Sequence, residues 1–395
     1  MIARTDPHHD GRLHKSPLTD WIRYLPPEIA LQILSYLSFG DLLSFGATSR
    51  LNNEYHILSL KSLRLGVFEK RVHSLISLLQ AGWANPDHLS GAWVDQEIEQ
   101  HHMISLVHQQ EKPRKLRTQC GNPSKTTEQK HRSPTTRNKP RTQEQMVRLQ
   151  NQTFGRVLRR YGSSLRSLEF MAYDISQEGA AALGTNCQQT LRHLALRFEH
   201  PHIRDGVVRP SAWLHPAPGN EAWNSLIGIG RIKNTGLCNL ETLIMERAGI
   251  TPWQLIMLVK KNPNLTTLKL RTCRGARPEF LYWLGGIESD LDEGTQLQEP
   301  APGANLEVLA LENCHKLLDG PMEEYEVVPD DMCDYGFEWV RGLTKLRSLS
   351  FSESANFPSE LVHRANKTIW KIPEVILPCY LYDANNAIAV DPKWK

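Results

Sequence analysis

The side chains best suited to nucleophilic or metal chemistry in this 395-residue sequence are its cysteines: Cys120, Cys187, Cys238, Cys273, Cys314, Cys333 and Cys379. They are odd in number and no two stand as C-x-x-C, which argues against a disulfide framework and against a structural zinc site. A reducing compartment fits such scattered thiols. Cys273 and Cys314 each close a repeated leucine pattern, so they read as buried positions of that repeat rather than as nucleophiles. Glu97 and His101 stand four residues apart, with His102 and His108 near. That spacing would put two ligands on one helix face, but exposed polar residues of a helix are the simpler reading.

Other catalytic signatures are missing. Gly228-x-Gly230 lacks the third glycine of a dinucleotide turn. Gly121 to Lys125 is not followed by the Gly-Lys-Ser/Thr of a phosphate loop. There is no G-x-S-x-G and no H-E-x-x-H. The sequence therefore predicts a chain without catalytic residues, metal or cofactor, working by binding.

The elements that would position binding residues come from the leucine spacing. Six segments follow L-x-x-L-x-L with Met or Phe allowed last: Leu165/Leu168/Phe170, Leu191/Leu194/Leu196, Leu240/Leu243/Met245, Leu265/Leu268/Leu270, Leu306/Leu309/Leu311 and Leu346/Leu349/Phe351. The pattern resembles the leucine-rich repeat, and two copies run on to Cys273 and Cys314 at its asparagine-or-cysteine position. The resemblance implies an α/β fold: an irregular solenoid of short parallel strands with return helices. Thr251-Pro252-x-Gln254 before Leu255 signals one such helix, with cap and first-turn proline. Weaker return helices are expected over 278–287 and 176–183. The interval of 49 residues between the second and third segments holds either two units or one unit with an insertion.

Strand residues flanking the inward leucines point the other way, by the two-residue period of a strand. Those positions include His193, Arg197, Thr242, Glu246, Thr267, Lys269, Arg271, Val308 and Glu312, with smaller groups at Ser167, Ser348 and Ser350. His193, Arg197, Glu246, Lys269, Arg271 and Glu312 are the expected substrate-binding residues. Arg197, Lys269 and Arg271 would make the centre of that face basic, leaving room for an acidic or phosphorylated segment.

A different motif lies near the N-terminus. Pro26 and Pro27 suit a helix start. Ile29, Ile33, Leu34 and Leu37 give that helix an apolar face, and Ser38 three residues before Asp41 fits a capping box for a second helix carrying Leu42, Leu43 and Phe45. Two short helices present more apolar surface than such a segment can bury alone, so the unit calls for a partner.

Leu25-Pro26-x-Glu28-Ile29, Ile33-Leu34-x-x-Leu37, Asp41-Leu42-Leu43 and Ser49-Arg50 together resemble the F-box. Asn52 and Asn53 stand where that family often carries a tryptophan. The resemblance implies docking on the Skp-type adaptor of a cullin-RING ubiquitin ligase. Leu25, Pro26, Ile29, Ile33, Leu37, Leu42 and Leu43 would divide between the motif's own core and the adaptor contact. It also implies a non-catalytic substrate receptor, with the repeats holding an unknown target protein. The alternative is a repeat scaffold acting outside a ubiquitin ligase.

The expected organisation is a disordered tail over 1–19, the F-box over 20–65, a helical connector over 66–110, a basic disordered linker over 111–144, and a helix plus repeat domain with insertions over 145–395. The connector reading rests on helical spacing from Val67 to Gln80. The linker has dispersed Lys and Arg, four prolines and almost no apolar residues. Acid-rich insertions fall over 288–304 and 319–338. A net charge of +3 does not suggest nucleic-acid binding by the whole chain. No apolar run is long enough to span a bilayer, and the polar first residues lack a signal-peptide core. The reading is a cytoplasmic or nuclear protein with no membrane partner.

Overall fold

The computed structural model describes residues 21–37, 39–68, 102–107, 143–198, 221–229, 235–287, 300–314, 316–320, 334–354 and 357–378. The chain divides into two compact units, 1–59 and 60–395.

In the first unit a short 3-10 turn, Trp21–Tyr24, precedes three helices: α1 (Pro27–Ser35), α2 (Phe39–Gly46) and α3 (Arg50–Ser59). Pro27 opens α1, where a missing N–H leaves no hydrogen bond unmade. Ser49 caps α3, its Oγ accepting from the Asn52 N–H at 3.1 Å. The Asn52 side chain is buried and donates to Thr48 Oγ1 at 2.8 Å. A polar clasp thus occupies the start of the third helix. Ile22, Ala30, Leu34 and Leu42 form the core, with Leu25, Leu37, Phe45, Leu51 and Tyr55 packed against it. A β-carbon on Gly46 would stand 2.6 Å from His56 Nδ1, so the close approach of α2 and α3 needs glycine there.

The second unit is built on one parallel sheet. Its strands are β1 (Ser62–Phe68), β2 (His102–Val107), β3 (Ser167–Ala172), β4 (His193–Phe198), β5 (Thr242–Glu246), β6 (Thr267–Arg271), β7 (Val308–Glu312), β8 (Ser348–Ser350) and β9 (Glu374–Ile376). The spatial order is β2-β1-β3-β4-β5-β6-β7-β8-β9, so from β3 onward each strand lies beside the next in sequence. The register stacks like on like. Leu63, Leu168, Leu194, Leu243, Leu268, Leu309 and Leu349 form one row, all buried. Leu65, Phe170, Leu196, Met245, Leu270 and Leu311 form a second buried row.

Helices α4 (Gln143–Tyr161), α5 (Gln177–Asn186), α6 (Glu221–Ile227), α7 (Pro252–Lys260), α8 (Pro278–Leu284) and α9 (Ser359–Ala365) lie between strands in sequence. Thr251 and Gln254 form the full capping box of α7. Before each strand from β3 to β8, one carbonyl of the preceding unit accepts two successive N–H groups. Arg192 O, for example, accepts from Glu241 N at 2.8 Å and Thr242 N at 3.0 Å. Buried asparagines fasten the connections: Asn262 Nδ2 donates to Leu237 O and Leu258 O, while its Oδ1 accepts from Leu240 N.

Several expectations change. The first compact unit ends at Ser59, short of residue 65, because Leu60-x-x-Leu63-x-Leu65 carries the repeat spacing and feeds β1. The described parts of the expected helical connector are strands. Val67 and Phe68 end β1, and 102–107 form β2; the two strands pair in parallel, so backbone groups that a helix would bond within itself are bonded between strands. The rest of the expected helix over 67–80 lies outside the described residues. β4 bonds directly to β5, so the interval of 49 residues holds one unit with an insertion. The expected tail, Ser38, linker residues 111–142, insertion 201–219, and 288–299 and 321–333 of the acidic stretches lie outside the described residues.

Candidate functional site

Helix α1 carries two apolar stripes. Ala30, Leu34 and Leu37 face the core of the first unit. Ile29, Ile33 and Tyr36, at the same helical spacing, face away and are 45%, 40% and 74% exposed. The sequence pattern had merged Ile29, Ile33, Leu34 and Leu37 into one face. Leu43 on α2 and Pro26 before α1 are also exposed. Leu25 and Leu37 are half-buried against the core, and Leu42 is fully inside it. Tyr24, exposed like Tyr36, was missed. The spacing of Tyr36 from Ile29 and Ile33 was the available signal. Such a concentration of exposed large apolar groups on a small helical unit marks a contact surface.

The second candidate is the sheet face opposite the leucines. On β6, Leu268 and Leu270 are buried while Thr267, Lys269 and Arg271 alternate outward. The register places Arg64, Glu169, Ala195, Ile244, Lys269, Ala310 and Ser350 in one outward row. Met171, Arg197, Glu246, Arg271 and Glu312 form the next. His193 is exposed on β4, whereas Ser348 and Ser350 are buried and closed to a partner.

The charges in these rows pair with one another. Glu169, only 4% exposed, lies 3.3 Å from Arg64 and 3.0 Å from Arg197. Arg197 also reaches Glu246 at 3.2 Å, and Arg247 reaches Glu246 at 3.9 Å. Arg271 holds both carboxylate oxygens of Glu353, at 2.7 and 2.8 Å. Arg197 and Arg271, expected to make a basic centre, are thus matched by acids of the same chain. Arg64, Glu169 and Glu353 were missed. The spacing of Leu60, Leu63 and Leu65 would have placed Arg64 outward.

Lys269 and Glu312 differ from these pairs. Among the described residues no side-chain ion pair joins either to its neighbours, and each acts on the other through space. Burial pushes the Lys269 ammonium below its ordinary pKa, with Glu312 opposing. Burial pushes the Glu312 carboxyl up, opposed by Arg271 and Lys269.

Three buried thiols are unsuited to nucleophilic work. Cys187 and Cys273 are buried and burial pushes both up to about 12. Cys314 is shifted upward the same way, and its Sγ–H donates to Leu270 O at 3.4 Å. Among the described residues no group of His, Cys, Asp and Glu could hold a metal ion, and no helix is long and apolar enough to cross a membrane.

Residues 22–54 match the protein family described as F-box-like, and the match spans α1, α2 and the first half of α3. The first unit therefore contains an F-box-like domain. F-box domains generally bind Skp-type adaptors. No curated protein matches the chain.

Proposed function

We propose that this chain is the substrate-recognition subunit of a Skp-cullin-F-box ubiquitin ligase, cytoplasmic or nuclear and without chemistry of its own. The F-box-like unit docks on the Skp-type adaptor and through it on a cullin. The second unit acts as a leucine-rich-repeat solenoid whose outward sheet face holds a target protein. The observation that carries the reading is the exposed stripe of Ile29, Ile33 and Tyr36, with Leu43 on the next helix, inside the F-box-like match. A stripe at helical spacing turned away from a completed core has no role within its own unit.

The test is co-expression with a Skp-type adaptor. Stoichiometric co-purification, lost with Ile29→Asp plus Ile33→Asp, supports the receptor. A chain that purifies alone from adaptor-rich extract is a scaffold outside the ligase.

A further inference from the structure

The rim where the strands begin carries a run of positive charge that the outward face lacks. Lys61, Arg166 and Arg192 stand immediately before β1, β3 and β4, at the place whose carbonyl accepts two N–H groups of the next unit. Lys61 O accepts from Arg166 N at 2.8 Å and Ser167 N at 3.0 Å. Arg166 O accepts from Arg192 N at 2.8 Å and His193 N at 2.9 Å. These bonds stack the cations one to a strand, about 4.8 Å apart. Lys61 and Arg166 are exposed and Arg192 is half-buried.

The end of α4 adds to this corner. Ser164 Oγ lies 2.8 Å from Tyr161 O and 3.1 Å from Leu60 O, so one hydroxyl ties the last residue of α4 to the residue before Lys61. Arg159 and Arg160 occupy the last turn of that helix, where the unbonded carbonyls favour cations, and both are exposed. The stretches 60–62, 156–166 and 187–193, which build the corner, hold Lys61, Arg156, Arg159, Arg160, Arg166, Arg192 and His193 and no Asp or Glu. Burial lowers the Lys61 pKa and the Arg166 guanidinium lowers it further, so each cation stands in the field of the other. Along the rim the sign then changes: Glu241, before β5, is 3.7 Å from Arg192, and Glu307 stands before β7.

That order of charge selects a class of partner. The cations are spread one to a strand instead of converging on one point, which suits a row of single carboxylates better than one phosphate group. A nucleic-acid backbone would continue its charge past Arg192 and meet Glu241 and Glu307. Tyr161, the aromatic residue of these stretches, is buried and cannot stack on a base. A polypeptide can change sign where the rim does, with acids at Lys61, Arg166 and Arg192 and a cation at Glu241.

We propose that this strand-entry rim is the docking surface for a segment of a partner protein in which a run of acids is followed by a cation. The inference goes beyond the ligase reading and holds whether or not the first unit docks on an adaptor. It moves the acidic ligand that the sequence suggested away from the outward face, where Arg197 and Arg271 are matched by acids of the same chain.

The experiment titrates fluorescein-labelled probes with the full-length chain by anisotropy at low salt, where exposed charges are least screened. The probes are a run of glutamates followed by lysines, a run of glutamates alone, and a DNA duplex. The glutamate-lysine peptide should bind. Lys61→Glu with Arg166→Glu should weaken it about tenfold, the size of a few exposed charge contacts together. Lys345→Glu with Arg347→Glu, exposed positions before β8, changes the net charge equally and should leave binding nearly unchanged. Glu241→Lys should weaken the glutamate-lysine peptide and strengthen the all-glutamate one. Melting temperatures confirm that each variant folds.

The proposal is overturned if the glutamate-lysine peptide does not bind, or if both double reversals weaken it alike, which is an effect of net charge. It is equally overturned if the duplex binds more tightly than the peptide and is lost with Lys61→Glu and Arg166→Glu. Binding that is lost only with Lys269→Glu and Arg271→Glu would return the acidic ligand to the outward face and overturn it too.

Discussion

Arg197 on β4 lies 3.0 Å from Glu169 on β3, and that carboxylate is almost wholly shielded from water. Glu169 also meets Arg64 on β1, so one acid links three neighbouring strands. Removing it would take a shared acid from two guanidinium groups that are themselves 11% and 17% exposed, although Arg197 would keep Glu246. Glu169→Ala should therefore destabilise the second unit by about 3 kcal/mol, the cost typical of breaking a buried pair from one side. Urea unfolding monitored by tryptophan fluorescence measures it; a change below about 1 kcal/mol would show that the pairs are too well hydrated to matter.

The two stripes of α1 should separate under mutation. Leu34→Ala empties part of the core and should cost about 2–5 kcal/mol of first-unit stability. Ile33→Ala, one residue earlier and on the exposed stripe, should leave hydrogen-exchange protection of α1–α3 unchanged while reducing adaptor capture. Equal loss of protection in both variants would place Ile33 in the core instead.

Gly46→Ala tests the closest approach of α2 and α3. The added methyl meets the imidazole of His56, which is fully buried. A loss of about 1–3 kcal/mol is expected from overpacking. Combining it with His56→Ala should recover much of the loss, and failure to recover would mean that the strain is in the backbone.

Glu312 should lower stability at neutral pH. Its folded pKa is raised, chiefly by burial, so the native state holds its proton more firmly than the unfolded chain does. Stability from this group falls as pH rises from the ordinary glutamate value of 4.5 through the raised folded value. Glu312→Gln should accordingly be more stable than the parent at pH 7, with the difference shrinking below pH 4.5. Melting temperatures across pH 4–8 give the answer; a variant less stable at pH 7 would show that the charge is compensated in place.

The thiols offer a chemical check on the packing. Cys187, Cys273 and Cys314 should resist iodoacetamide in the native chain and react once urea unfolds it, as mapped by peptide mass spectrometry. Fast native labelling of Cys273 would contradict its burial just after β6.

How much was visible beforehand depended on whether the signal was local. Strands β3 to β8 fell where L-x-x-L-x-L occurs, because two inward leucines per strand are needed in every unit. The α7 helix was announced by Thr251 and Gln254, which cap it within one turn. β9 was missed because Ile372, Val375 and Leu377 keep the spacing with branched residues in place of two leucines. β1 was missed because its motif was absorbed into the preceding helical unit. The ion pairs were out of reach for another reason. Glu353 lies 82 residues from Arg271, and only the fold brings them together. The outward direction of Lys269 was legible from its leucine neighbours, whereas the cancellation of charge around it was not.

Adjacent places in one row can be filled by residues separated by very different lengths of chain. Leu194 and Leu243 are neighbours across 49 residues, while Leu243 and Leu268 are neighbours across 25. The sheet is therefore indifferent to how long each connection has grown. Natural variation can lengthen or shorten a connecting segment without shifting the alignment of any strand. It can also replace a single outward side chain without moving the next. Such an architecture lets the outward face change by small, separable steps, each sparing the leucines that keep the molecule folded.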